Sequence, residues 1–132
     1  MSAHAAILGL LQAAPGLVSL VGERIFPDQM DDPPKYPSVT FQKMGGGSAR
    51  GAVRNPGLAR ASFLVSTWAE SRDETVLIAA QIKKALDRKR KVIVAGVRID
   101  DCFYESDHDQ KDPDSEVWFN QMSFTIHYRE TT

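Results

Sequence analysis

GLARASFLVSTWAESRDETVLIAAQIKKALD, residues 57–87, decides the fold. From Leu58 to Ala69 the chain is apolar on both faces, through Phe63 and Val65 on one side and Leu64 and Trp68 on the other. A strand of that kind belongs in the interior of a sheet, where a partner chain is one way to cover the second face. Ser71-Arg72-Asp73-Glu74 then forms a capping box, in which the Ser and Glu side chains satisfy the first free amides of a helix reciprocally. Ile78, Ile82 and Leu86 follow at i, i+4 and i+8, and Ala79 and Ala85 widen the stripe. Lys83, Lys84 and Arg88 fall in the expected last turn, where cations suit the negative end of the helix dipole. A sheet-interior strand running directly into an amphipathic helix implies a helix laid on a sheet.

Toward the N-terminus, Ser2 is placed to cap a helix with Ala3, Ile7, Leu10, Leu11 and Ala14 on one face. Pro15 stops it and opens a second short helix through Leu17, Leu20 and Val21, which Gly22 ends. Arg24, Ile25 and Phe26 read as a short strand closed by Pro27, and residues 28–37 (DQMDDPPKYP) as an acidic, proline-rich connection. Residues 36–44 alternate as a strand, with Val39 and Phe41 opposite Thr40 and Gln42. Residues 45–57 (GGGSARGAVRNPG) read as a long loop with five glycines.

Toward the C-terminus, residues 92–99 are a β-branched run and read as one strand; residues 105–116 (ESDHDQKDPDSE) read as an acidic loop. The last strand alternates most cleanly. Trp118, Met122, Phe124, Ile126 and Tyr128 share one face, and Gln121, Ser123, Thr125 and His127 the other. The order α-α-β-β-β-α-β-β implies an α+β fold: an antiparallel β-sheet with N-terminal helices and one long amphipathic helix packed on it.

Bulk properties agree with one domain over residues 1–132. A net charge of −1 gives no global pull toward nucleic acid or anionic membrane. Cys102, the sole cysteine, can form neither an internal disulfide nor a cysteine-rich zinc site, and it suits a reducing compartment. The apolar N-terminal stretch has no Lys or Arg before it, unlike a secretory leader, and no apolar run nears the roughly 18 residues of a membrane span. A soluble protein made in the cytoplasm is expected.

The residues that could carry catalysis or bind a metal stand in patterns that fit neither. His4, His108 and His127 fall in separate elements, without ligand-pair spacing. Gly45-Gly46-Gly47-Ser48 lacks the Gly-Lys-Ser/Thr ending of a phosphate loop. Asp107, Asp109 and Glu116 invite a calcium reading, but Lys111 stands where a third ligand belongs and Asp112 where the turn needs glycine. Cys102 lies beside Asp100 and Asp101, whose charges oppose a reactive thiolate. No catalytic residue, cofactor or metal ligand is assigned, and no enzyme is indicated.

Four segments in order, nearly covering the chain, carry a resemblance. LLQAAPGLVSLVGERIFPD (10–28) sets a Pro-broken helix pair before Gly-x-Arg-Ile-aromatic-Pro, and PKYPSVTFQKMGG (34–46) is a Tyr-Pro-led strand entering glycines. The third is the segment 57–87; the fourth, YESDHDQKDPDSEVWFNQMSFTIHYRE (104–130), ends in aromatic-Arg-Glu. Together they resemble the tail-completion or tail-terminator family of long-tailed phages and prophages, although KRKVIVAGVRIDDC (89–102) is more basic at its start than that family suggests. The resemblance implies a virion protein at the tail–neck junction, a homo-oligomer in the form of a hexameric ring. Its implied partners are the tail tube protein and a head or neck connector protein, with a genome passing through the ring, no sequence-specific nucleic-acid binding and no membrane. Gene transfer agents use similar proteins. The rival readings are another neck or tail component, such as a tube protein or connector adaptor, and a stand-alone α+β ligand-binding domain.

A ring needs one surface of each subunit to complement a different surface of the next, and the sequence holds segments of opposite charge. Residues 43–60 carry four cations, Arg50 and Arg54 among them, and no acid. Residues 83–91 carry six cations (Lys83, Lys84, Arg88, Lys89, Arg90, Lys91) against Asp87 alone. Residues 105–116 carry six acids, including Asp107, Asp109, Asp112 and Asp114. These are the candidate interface residues.

Overall fold

The computed structural model describes residues 3–29, 34–48, 58–114 and 116–129. Helix α1 (Ala3–Gln12) turns Ala3, Ala6, Ile7 and Leu11 into the core; Ser2, expected to cap it, lies outside the described residues. A Cβ on Gly9 would stand 2.5 Å from Val94 Cγ1, so glycine here lets the helix come close to the sheet. Helix α2 (Pro15–Val21) starts with Pro15 in its first turn and ends at Gly22, whose φ of 61° suits a glycine cap. The two helices are bent by 83°, and among the described residues no single helix is long and apolar enough to cross a membrane.

The chain then enters a six-stranded sheet of order β1-β2-β3-β6-β5-β4. Strand β1 (Ile25–Pro27) pairs with β2 (Ser38–Ser48) in parallel, Ile25 opposite Val39. The sheet is therefore mixed, which corrects the antiparallel expectation. The connection 28–37 contains three prolines, which cannot donate to a ladder, and it is too long for a two-residue hairpin turn; a return crossover is what remains. The Arg24 guanidinium donates to the Pro37 carbonyl at 2.7 Å and ties the ends of that crossover together.

Strand β2 also runs further than expected. Gly45, Gly46 and Gly47 stay paired with Ser62, Ala61 and Arg60 of β3 (Leu58–Ala69), beyond a bulge between Lys43 and Gly45. The ladder is held by β3, so glycines with no strand preference of their own are carried along. The rest of the expected glycine loop, residues 49–57, lies outside the described residues.

Helix α3 (Arg72–Leu86) begins where the capping box placed it, with Ser71 Oγ accepting from the Glu74 amide at 3.3 Å. It buries Thr75, Ile78, Ile82, Ala85 and Leu86. Among the described residues the three helices are short, the longest being α3 with 15 residues, so the long helix expected from the sequence is not borne out. Asp87 leaves helical geometry and Arg88 takes a φ of 61°, which ends the helix before Arg88 can join its last turn.

The expected strand 92–99 is a hairpin. Strand β4 (Val92–Val94) turns through Ala95 and Gly96, both at positive φ, into β5 (Val97–Lys111), with Val94 paired to Val97. Positive φ at both central residues is the turn whose twist matches a two-residue hairpin, and an alanine there hides it from a search for Asn-Gly or Asp-Gly. Strand β6 (Trp118–Arg129) is paired along its whole length, to β3 on one side and β5 on the other.

Val39, Phe41, Phe63, Val65, Met122, Phe124 and Ile126 share one sheet face and join the buried side chains of all three helices in one core. On the other face Leu64, Trp68, Phe103 and Phe119 are half-buried. Trp68 stacks on Phe119 at 5.0 Å and its indole donates to Thr40 Oγ1 at 3.0 Å.

Candidate assembly surfaces

Residues 105–111 correct the acidic-loop expectation: they are the outer part of β5, in register with residues 118–123 of β6. Their side chains are exposed, because β4 covers only Val97 to Ile99 on the other side of β5. Two contacts extend that cover slightly. The Arg88 amide donates to the Cys102 carbonyl at 2.6 Å, and Asp87 Oδ1 accepts from the Tyr104 amide at 3.0 Å. Cys102 beneath them is fully buried, and burial first, then the charges of Asp101 and Asp87, push its thiol up to about 12.

A bulge between Tyr104 and Ser106 resets the alternation, so Tyr104, Asp107 and Asp109 all stand on the helix side, opposite Phe124, Met122 and Asn120. The Tyr104 hydroxyl donates to Asp107 Oδ1. The buried Asn120 amide donates to Asp107 Oδ2 at 3.0 Å and to Asp109 Oδ1 at 2.8 Å. Those bonds, Tyr104 first and Asn120 second, hold Asp107 below the usual carboxylate range; the same bond raises Tyr104. Lys83 reaches over from α3, its Nζ 4.3 Å from the Tyr104 ring centre. These groups and the flank of α3 at Val76, Ala79 and Ala80 enclose a groove of about 240 Å³.

The candidate interface residues thus separate. Lys83 lines the same groove as Asp107 and Asp109 of its own chain. Lys84 and Lys89 line a different cleft, about 290 Å³, between α3 and the α1–α2 corner. Arg90 pairs with Asp101 at 3.3 Å, an exposed pair worth about 0–1 kcal/mol. Arg88 and Lys91 occupy positive-φ positions of the turn leading into β4. Asp112 and Asp114 shape the β5–β6 turn, Asp112 Oδ1 accepting from the Asp114 amide at 3.0 Å. That turn is about 30 Å along β5 from Cys102, which the basic turn covers. Arg50 and Arg54 lie outside the described residues. Among the described residues no group of three His, Cys, Asp or Glu side chains is placed to hold a metal ion.

Two participants were missed from the sequence. Asn120 had a signal: it sits on the apolar parity of β6 between Trp118 and Met122, where a polar residue needs a partner. Val76, half exposed beside the groove, had none, because a single apolar residue off the buried stripe of a helix is ordinary.

Helices on one face of a mixed sheet, with charged side chains along its exposed edge, define a small α+β protein. The sequence matches the family model of tail completion protein gp17 over residues 5–129, and the chain belongs to that family. It is a structural component of the tail of a phage-like particle. Among solved structures it is similar to a chain in the "Virion of native gene transfer agent (GTA) particle", with a TM-score of 0.75 at 15% identity, covering 97% of this chain and 95% of that one. That likeness shows the fold. Among curated proteins none matches.

Proposed function

We propose that the chain closes into a ring, six-membered as the family resemblance implies, at the end of a tail tube. There it stops tube growth and offers a surface to a head or neck connector protein. The observation that carries this reading is the tail-completion family match over nearly the whole chain, and the fold's likeness to a chain of a gene transfer agent virion supports it. The charge pattern fits a head-to-tail ring. Arg88 and Lys91 would face Asp112 and Asp114 of the next subunit, adding register and encounter rate more than affinity. The direct test is to polymerise the cognate tube protein with the purified chain present and image the ends by negative stain. Ring-shaped density at one tube end, with growth stopped, is expected. Unlimited growth with bare ends would refute the capping role, and long tubes grown from this chain alone would make it a tube protein instead.

A further inference from the structure

We infer that the cleft between α2 and the first turns of α3 receives the Ile93 edge of the β4–β5 hairpin of a second copy of this chain. The inference rests on the ring reading and names a contact that would build it.

Among the described residues Ile93 is the most exposed large apolar side chain, at 74%. It stands in the middle of β4, the end strand of the sheet, and so on an open edge. An apolar edge invites a partner, which is why such edges usually carry charge. The register places Ile93 opposite Arg98 and Arg98 opposite Arg129, so these three side chains share the face without helices. Asp100 pairs with both guanidinium groups, at 3.3 and 3.2 Å, which leaves one positive charge over beside Ile93. Lys91, exposed two residues earlier, adds a second.

The cleft has the complementary character. Leu20, Pro37, Leu77 and Ile78 line a space of about 280 Å³, large enough for a branched aliphatic side chain. Leu77 is 60% exposed and Leu20 37%. Asp73 and Glu74 complete the lining with Ser71, and no Lys or Arg is among these residues. Apolar residues scattered singly over a surface are ordinary. Two that open into one concave space beside two carboxylates form a seat for an apolar side chain with cations around it.

One chain cannot join the two surfaces. Across the sheet, β5, β6 and β3 stand between β4 and β2, whose first residue Ser38 follows Pro37 of the cleft. Four steps of about 4.8 Å set them roughly 19 Å apart. Along the strands, the Ile93 row passes through Arg129 of β6 and the Ser38 row through Phe119, ten residues away. At about 3.4 Å per residue this adds roughly 34 Å in the other direction. Edge and cleft are at diagonal corners. A second copy can bring its edge to this cleft, and repeating that head-to-tail contact generates a ring when its rotation closes. Trp118 pairs with Ala69, so the acidic β5–β6 turn lies at the same end of the sheet as the cleft. The charge contact proposed above therefore falls on the same pair of ends.

The test uses full-length chains at low salt, with sedimentation to follow assembly and circular dichroism to verify folding. Ile93→Asp presents a carboxylate to the acidic cleft, and Leu77→Lys presents a cation to the basic edge. Each alone should need at least tenfold more chain to assemble. An equimolar mixture should regain assembly, because every altered edge then has an oppositely charged cleft to enter and every native edge a native cleft. Ile93→Ala, which introduces no charge, should weaken assembly by a smaller factor and so guards against a folding defect in the charged variants. If the wild-type chain assembles and all three variants assemble equally well, this contact is wrong although the ring stands. If the single variants fail and the mixture also fails, the pairing of these two surfaces is wrong. A wild-type chain that stays monomeric at every concentration would overturn both the contact and the ring.

Discussion

Residues 97–103 and residues 105–111 belong to one strand and share one neighbour, β6, yet they are physically opposite. The first stretch places Val97, Ile99 and Cys102 in the core, with β4 and the turn after α3 closing its outer edge. The second is hydrophilic and exposed throughout. The difference teaches that a partner's ladder can make a strand of residues with no apolar alternation. It also shows that charge is how an exposed edge of this kind avoids unwanted pairing: Asp107, Asp109 and Lys111 stand where a hydrophobic edge would invite another strand. The dividing point is Tyr104, whose amide is satisfied by Asp87 rather than by a strand.

Thiol labelling gives the largest contrast. At pH 8 a thiol held near 12 is ionised roughly a thousandfold less than an ordinary exposed cysteine, before any steric protection is counted. Cys102 should therefore react at least that much more slowly in the native chain than a cysteine introduced by Gln110→Cys. Denaturant should erase the difference. Equal native rates would mean that the inner half of β5 is not closed.

Stability comes next. Ile99→Ala removes a fully buried side chain and should cost about 2–5 kcal/mol in denaturant unfolding. His108→Ala, on the exposed half, should stay within about 0.5 kcal/mol. Comparable losses at the two positions would contradict the division drawn here.

The smallest effect concerns acid. Asp107 titrates below its unfolded value of 3.8, so its contribution to stability is present above that pH and fades as pH falls through the lowered folded value. Tyr104→Phe deletes the leading cause of the shift. The carboxyl resonance of Asp107, followed by NMR, should move its midpoint upward. A midpoint unchanged by the substitution would show that Asn120 alone holds the carboxylate.

Much of this architecture was legible because periodicity carried it. The alternation of β6 and the i, i+4, i+8 stripe of α3 both place their buried faces as the sequence implies, and Ser71 caps as its capping box suggests. The misses have common causes. Residues 105–111 carry no apolar period, so only the ladder with β6 reveals them as strand. Ala95 conceals a turn that glycine or asparagine would announce. The parallel pairing of β1 depends on a crossover whose direction no local residue records. At the candidate surfaces the charges were legible but their partners were not. Lys83 and Asp107 are 24 positions apart in sequence and line one groove only because α3 lies across the sheet beside β5.

The central claim, that this tail-completion protein ends the tail and makes it fit to join a head, is tested most directly by electron microscopy of particles produced without the chain. Tails of uncontrolled, excessive length, separate from filled heads, are the expected result, and supplying the wild-type chain should restore normal joined particles. Tails of normal length attached to filled heads in its absence would contradict the account.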